Sequence, residues 1–569
     1  MGGFMQEFID KIRASLAAKG VPENQIRIES PRDPELGDFA FPCFPLAKIK
    51  KEAPPKIAAE LAQELSAELE GITAEATGPY LNFRVDRDAL SKSILTTIAA
   101  QGAAFGGGNE GDGKTVVIDF SSPNIAKPMH VGHLRSTILG AALQRIHELL
   151  GYRTVGINHI GDWGSQFGKL VVALKRWGDT VDIEGEPIRA LLALYVRFHE
   201  EVETDEDLAE EARAAFRELE SGEEGEVRKT WRRLTELSLA EFQKIYDRLG
   251  VGFDFVRGEA YYEPYLDQTV ERIEAAGITE ESEGALIVDL SSIKKNMAPC
   301  LLRKTDGTTL YATRDLAALF LRWEEFAFDR ALYVVGSEQR LHFRQLKGVL
   351  HRMELDWEKR VEHVDFGLLK LAEGKLSTRQ GKVVFLDELL DRAVTEAKRI
   401  IDEKNPDLEG AETVAEQVGV GAVVFHDLKK ERVKDVVFDW NEVLSFEGET
   451  GPYVQYSHAR MASILRKAGG APDLDTLDWA RLEDSAPLLL MLGRYPDVLR
   501  RAAENAEPSM ISQYLLETCR ALNAWYVGHR VLVDDDDALR NARLALVAGA
   551  KTVLQNGLGL LGVAAPEEM

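Results

Sequence analysis

Residues 114–168 read KTVVIDFSSPNIAKPMHVGHLRSTILGAALQRIHELLGYRTVGINHIGDWGSQFG, and along them the spacing of apolar positions changes twice. Residues 115–120 form a short β-branched apolar run, residues 130–150 carry apolar side chains at helical spacing up to Gly151, and residues 154–160 form a second short run. This predicts a strand, a loop of Ser, Pro, Asn and Lys, a helix and a second strand. In such a unit the loop meets the positive end of the helix, where free N–H groups and the macrodipole favour an anion.

The same reading divides the rest of the chain. Residues 1–105 open with a helix, pass through DPELGDFAFPCFPLAK and a helix rich in Ala, Glu and Leu, and reach GPYLNFRV, a predicted strand. That is an α+β domain, and GGGNEGDG (106–113) after it has the composition of a flexible joint. The central unit, 114–407, is interrupted at about 170–290 by a long, charged, mostly helical section, after which ALIVDL, TTLYATRDLAALFLRWEEF, RALYVVG and EHVDFGLL resume the alternation. An insertion between two halves of a doubly wound parallel sheet, an α/β fold, is expected, with the ligand cleft at the carboxyl ends of the strands. Residues 408–569 show only helical patterns, and Leu539, Ala542, Leu546, Ala550 and Val553 make one stripe for a bundle core.

Composition narrows the function. A chain of 569 residues with 45% hydrophobic positions builds several cores and is not disordered. The start, MGGFMQEFIDKIRASLAAKG, alternates charged and apolar positions unlike a secretory h-region, and no apolar run reaches about 18 residues, so a cytoplasmic protein is expected. Cys43, Cys300 and Cys519 are too few and scattered for a disulfide framework or a zinc site; any metal is expected to arrive with a substrate. The net charge of -25 excludes a wholesale nucleic-acid coat and confines any RNA contact to local basic patches. EEVETDEDLAEEA (200–212) and DDDD (534–537) read as solvated helix faces or helix starts.

Four stretches carry candidate chemistry. His130 and His133 share a face at the start of the predicted helix, with Gly132 leaving space for a planar ligand; they suit phosphate oxygens or form a structural pair. GKLSTRQGKV (374–383) gathers Lys375, Ser377, Thr378 and Arg379 as a donor cluster, or is a basic surface loop. Tyr311 and Asp315 are four apart and share a face if a helix begins near Tyr311; ring and carboxylate suit a planar cation, though packing and the helix dipole also favour them. FEGETGPYVQYSHARMASILRKAGG (446–470) combines Tyr453, Tyr456, Arg460, Arg466 and Lys467, which suits unpaired bases and phosphates or an ordinary amphipathic helix. Trp525 and Tyr526 add a weaker aromatic pair.

HVGH, preceded by SSPNIAKPM and followed by LRSTILG, resembles the HIGH signature of class I aminoacyl-tRNA synthetases in the form carried by arginyl-tRNA synthetases. KLSTR resembles the KMSKS loop, with Leu376 in place of Met and Thr378 and Arg379 closing the motif. GDFAFPC and GPYLNF resemble the family's N-terminal domain, GPYVQYSHAR its GPYVQYAHAR segment, and the end from DALRNARLAL to AAPEEM its DALR domain, so the resemblance covers essentially the whole chain. It implies a Rossmann-like catalytic domain (114–407) with a helical insertion, an N-terminal α+β domain (1–105) that contacts tRNA, and an all-α, DALR-type anticodon-binding bundle (408–569).

The implied activity is arginine–tRNA ligation: arginine and ATP give arginyl-adenylate and pyrophosphate, and the arginyl group passes to the terminal adenosine of tRNA(Arg), with tRNA required before activation. Positive groups must oppose the charge that develops on pyrophosphate, and His130 and His133 on one side with Lys375, Ser377 and Arg379 on the other are expected to do so. Lys127 is expected to replace the missing second lysine of the loop, since lysine and arginine are not interchangeable there. By the same resemblance His130, Gly132, His133, Leu368, Leu369 and Lys375 meet ATP, and Asp119, Ser121, Asn124, His133, Tyr311, Asp315 and Gln339 hold arginine. Tyr453, Tyr456, Arg460, Trp525 and Tyr526 are expected to meet tRNA. Mg²⁺ is expected with ATP and not as a protein-bound metal, no membrane is expected, and the protein is expected to be a monomer. Two rivals stay open: a class I ligase for another amino acid, and a tRNA-binding protein that has lost catalysis.

Overall fold

The computed structural model describes residues 4–29, 31, 33, 36–371 and 385–569. In the N-terminal domain an antiparallel sheet runs in the order β1 (Phe39–Pro42), β3 (Tyr80–Val85), β2 (Ile72–Thr77). Ile57, Ala58, Leu61 and Leu65 line one face of the helix Pro54–Leu65 and are buried against it. The helix Arg87–Gln101 follows, and its cap Asp86 accepts from the N–H groups of Asp88 and Ala89.

The glycine-rich stretch that follows is not a loose joint. A Cβ on Gly106 would lie 2.7 Å from Leu499 and 2.8 Å from Tyr495, and one on Gly111 would lie 2.2 Å from the Tyr152 backbone. Glu110 also pairs with Arg500 at 2.5 Å. Here glycine serves close backbone approach between domains, a use that composition does not distinguish from flexibility.

The central sheet is wholly parallel, in the order β11 (Val361–His363), β10 (Arg330–Tyr333), β4 (Thr115–Asp119), β5 (Arg153–Asn158), β6 (Phe255–Val256). Every residue of β4 is buried, as a strand covered on both faces requires. Val116 and Ile118 point into the core that includes the helix Val131–Leu149, while Val117 points into the core built on the helix Tyr311–Phe326. Strand order reverses between β4 and β10, so the crevice of a doubly wound sheet opens at Asp119 and Tyr333, which pair in register.

Two expectations change. ALIVDL does not join the main sheet: β8 (Ala285–Val288) lies between β7 (Thr279–Ser282) and β9 (Cys300–Arg303) in a separate antiparallel sheet. Glu283 and Gly284, both at positive φ (50° and 79°), make the two-residue turn that fixes this hairpin. The run of helices expected over 408–569 contains one strand, β13 (Val436–Phe438), which pairs parallel with β12 (Leu369–Leu371). The bundle itself includes Gly451–Ala468, Ser509–Gly528 and Asp537–Leu560. By length and composition 537–561 could cross a membrane, but 67% of an 18-residue apolar window within it is buried in the fold.

Candidate active site

The loop from Asp119 to His130 leaves the central strand at the crevice, and its backbone is held in an unusual shape. Ser121, Ser122 and Ala126 take φ values of 73°, 51° and 61°. Such conformations cost about 1 kcal/mol or more each and persist only where the surroundings enforce them. Ser121 N donates to Ser136 Oγ at 3.0 Å, Ser122 N to Asn158 Oδ1 at 3.1 Å, Ile125 N to Gly161 O at 3.0 Å and Ala126 N to Ser238 Oγ at 3.0 Å. A Cβ on Gly161 would lie 2.2 Å from Asn124 Oδ1, so glycine there seats Asn124.

At the end of the loop His130 caps the helix Val131–Leu149. Its Nδ1 accepts from Gly132 N at 3.0 Å, and His133 Nδ1 accepts from His130 N at 3.1 Å. The rings lie 4.0 Å apart. With both Nδ1 atoms accepting, each neutral ring carries its proton on Nε2. Burial, together with His130 and Lys127, pushes His133 down to about 3, and burial with Lys127 lowers His130. In the free protein both imidazoles are therefore neutral N–H donors, and positive potential beside them comes from Lys127 and the helix end. The role expected of Gly132 changes, since a Cβ there would meet His130 Cε1 at 2.7 Å. The glycine makes room for the capping ring rather than directly for a ligand.

A cavity of about 380 Å³ opens beside this loop, lined by Asp119, Asn124, Tyr311, Asp315 and Gln339 among others. Tyr311 is the first residue of its helix and Asp315 lies one turn on, so the spacing read in the sequence does place both on one face. Gln339 ends the short 3-10 turn Ser337–Gln339 before the helix Arg340–Arg352. Asp119 Oδ2 accepts from the fully buried Arg322 at 2.7 Å, and Arg322 also reaches Tyr262 Oη and His159 Nδ1 at 3.3 Å.

The cavity is acidic. Burial opposes the charge of Asp315, but the hydrogen bond from His342 Nε2 at 2.5 Å and the nearby His159 and Arg322 hold its carboxyl below the ordinary range. Glu259 also lines the cavity, and burial, with Asp315, Asp162 and Glu263 as negative neighbours, pushes it up to about 7 against the pull of Arg314. Arg314 is itself paired with Glu263 at 2.6 Å. Three carboxylates around one cavity suit a cationic ligand.

Some expected residues lie elsewhere. Ser121 does not line the cavity: it is buried, with Oγ 2.8 Å from Tyr246 Oη and accepting from Thr137 Oγ1 at 2.8 Å, and its neighbour Ser122 takes the lining position. His133 stands with His130 rather than in the cavity wall. Leu369 is buried, and the Leu368 N–H and C=O are taken by Asp435 and Val436, so its half-exposed side chain is what a nucleotide could meet. Lys375, Ser377, Thr378 and Arg379 lie outside the described residues. Glu259, His159, His342 and Phe343 were missed, because nothing in their local spacing marks them and only folding brings them to the cavity.

On the helical domain, Arg460 stacks its guanidinium 4.1 Å from the Tyr526 ring centre and Tyr456 is 46% exposed. Tyr453 Oη accepts from Asn523 at 2.7 Å, and Arg466 is paired with Glu568 at 2.7 Å. Trp525 corrects the expectation of a nucleic-acid contact: it is buried, donates to Ser485 Oγ at 2.8 Å and stacks on His529. Val527, next to Tyr526 in the chain, is 89% exposed.

Comparison with known proteins agrees with this geometry. The model of the class I (R) tRNA synthetase catalytic domain matches residues 95–440, that of the arginyl-tRNA synthetase N-terminal domain matches 6–85, and that of the DALR anticodon-binding domain matches 454–569. An arginine–tRNA ligase of Ligilactobacillus salivarius is 49% identical over 547 residues, covering 95% of each chain, and one of Halothermothrix orenii is 43% identical over 567 residues, covering 100% of each. The solved arginyl-tRNA synthetase of Thermus thermophilus superposes with a TM-score of 0.81 at 29% identity, covering 100% of both chains. With a histidine-capped helix at the switch point and an acidic cavity beside it, this chain belongs to the arginyl-tRNA synthetase family of class I.

Proposed function

We propose that the acidic cavity at the switch point seats arginine beside ATP, so that the protein works as an arginine–tRNA ligase. The observation that carries this is the meeting of Asp119, Glu259 and Asp315 in one cavity whose loop ends at the His130 cap. Asp315, Glu259, Tyr311 and Gln339 present acceptors and a ring to the forked guanidinium, while Asp119 and Asn124, on the loop, take the α-amino end. An ammonium would leave part of such a fork unmatched, which excludes lysine.

The arginine carboxylate attacks the α-phosphorus of ATP, pyrophosphate leaves, and the adenosine hydroxyl at the tRNA end then attacks the acyl carbon and releases AMP. No protein nucleophile is needed. His130 and His133 donate through Nε2–H, the helix start and Lys127 oppose the growing negative charge, and Lys375, Ser377 and Arg379 add further donors. Mg²⁺ arrives with ATP as part of the substrate. Tyr453, Tyr456, Arg460 and Tyr526 give the helical domain its face for tRNA(Arg). On this reading the protein acts in the cytoplasm as a monomer, away from membranes, and requires tRNA before it activates arginine.

The test is ATP- and tRNA-dependent attachment of labelled arginine by the full chain. Charging of another amino acid in a panel favours the rival ligase, and absent pyrophosphate release favours a tRNA-binding protein without catalysis.

A further inference from the structure

The turn that carries Gln339 is held by polar contacts that end on the helical domain. Ser337 N donates to Phe366 O at 2.9 Å, Ser337 Oγ donates to Asp365 Oδ2 at 3.0 Å, and Arg340 Nε donates to the same oxygen at 2.5 Å. Gln339 lies between those anchors, exposed, with its backbone N bonded to Gly336 O at 3.0 Å; the turn sets its place.

The other side of Asp365 faces Arg432. Arg432 Nη1 donates to Asp365 Oδ1 at 2.9 Å and to Asp365 O at 2.5 Å. Arg432 stands in the loop between the helix Ala411–Leu428 and β13, and its Nε and backbone N turn to the segment that precedes the helix Ser509–Gly528. Nε donates to Ala506 O at 3.2 Å and the backbone N donates to Glu507 Oε1 at 3.2 Å. Glu507 accepts in turn from Ser509 Oγ at 2.8 Å, at the start of the helix Ser509–Gly528.

The side chains of Asp365 and Arg432 are only 14% and 18% exposed. Placing charges in a joint is costly unless every polar atom is matched, and it adds little adhesion over apolar packing. The apolar kind of contact is already present where Gly106 meets Tyr495 and Leu499. Directional bonds do something that contact cannot: they fix the angle and distance of one part against another.

We infer that Asp365 and Arg432 are positioning residues for arginine recognition, tying the Gln339 turn to the helical domain so that the seat of that domain sets where Gln339 meets the guanidinium. The inference rests on the reading that Gln339 meets arginine in the cavity.

The test measures KM for arginine and for ATP in tRNA charging by the full chain, for the wild type, Gln339→Ala, Arg432→Ala and their double mutant, with thermal unfolding beside each. Arg432→Ala is expected to raise KM for arginine about ten-fold and KM for ATP by less than about two-fold, and the double mutant to be no worse for arginine than Gln339→Ala. If Gln339→Ala leaves KM for arginine unchanged, the reading of Gln339 fails and takes the inference with it. If Gln339→Ala weakens arginine but Arg432→Ala does not, or weakens both substrates alike, the inference alone is overturned. Should Arg432→Ala not fold, Ser337→Ala removes one donor from Asp365 and leaves the joint intact. It is expected to raise KM for arginine about three-fold with ATP unaffected, and no change overturns the inference.

Discussion

His342 Nε2 lies 2.5 Å from Asp315 Oδ2, joining the helix that begins at Tyr311 to the helix that follows Gln339. One carboxylate oxygen of Asp315, a residue lining the cavity, is thereby fixed in place.

Asp315→Asn keeps the shape of the site and removes the counter-ion. Arginine binding is expected to weaken by about 2–5 kcal/mol, the usual loss when one partner of a desolvated charged pair is removed. Because the folded-state pKa of Asp315 is depressed, its charge is present throughout the neutral range and is lost only as pH falls below the ordinary carboxylate range. Unchanged affinity for arginine, measured by titration calorimetry, would remove Asp315 from the site.

Glu259 behaves in the opposite sense. Its folded-state value is raised to about 7, so the free site gains this charge only as pH rises through neutrality. KM for arginine is expected to fall between about pH 6 and 8, and Glu259→Gln is expected to flatten that profile. The raised value also means that ionisation costs stability, increasingly from the ordinary carboxylate range up to about 7. Glu259→Gln is therefore expected to raise the thermal midpoint at pH 8 while weakening arginine, by removing a cost of at most about 3 kcal/mol. A lower midpoint would contradict the assignment.

Lys127→Ala is expected to slow adenylate formation far more than it weakens arginine binding. Lys127 acts on His130 and His133 electrostatically and does not line the amino-acid cavity. Stopped-flow pyrophosphate release set against arginine affinity separates the two, and equal losses would refute the role. With the His133 imidazole pushed down to about 3 in the free enzyme, kcat/KM for ATP should show no step between pH 5 and 8 that disappears on replacing His133.

Gly132→Ala tests the cap. The new methyl group would strike the His130 ring, which can swing aside, so the fold should lose less than about 1 kcal/mol. The displaced ring is expected to cost about 10- to 100-fold in kcat with little effect on KM for arginine. Normal kcat would show that the ring's place does not matter.

Trp525→Ala and Tyr526→Ala should separate stability from tRNA binding. Trp525 is buried and hydrogen-bonded, so its loss should cost about 3–5 kcal/mol in denaturant unfolding. Tyr526 is partly exposed under Arg460, so its loss should raise KM for tRNA with stability nearly unchanged. The reverse pattern would move the tRNA face elsewhere.

Local features were legible in the chain alone. The change from strand period to helix period set β4 and the helix Val131–Leu149, and the four-residue interval from Tyr311 to Asp315 set their shared face, because one backbone geometry governs neighbours so close in the chain. Which of Ser121 and Ser122 faces the cavity was settled by folding, through the hydrogen bonds that their backbone N–H groups donate to distant Ser136 Oγ and Asn158 Oδ1. Folding also sent ALIVDL to a separate sheet, buried Trp525, closed the glycine stretch against Tyr152, and carried Glu259 and His342 to Asp315. The protonation states of His130, His133 and Glu259 belong to this second group, since a proton's affinity depends on burial and on charges that only folding brings near.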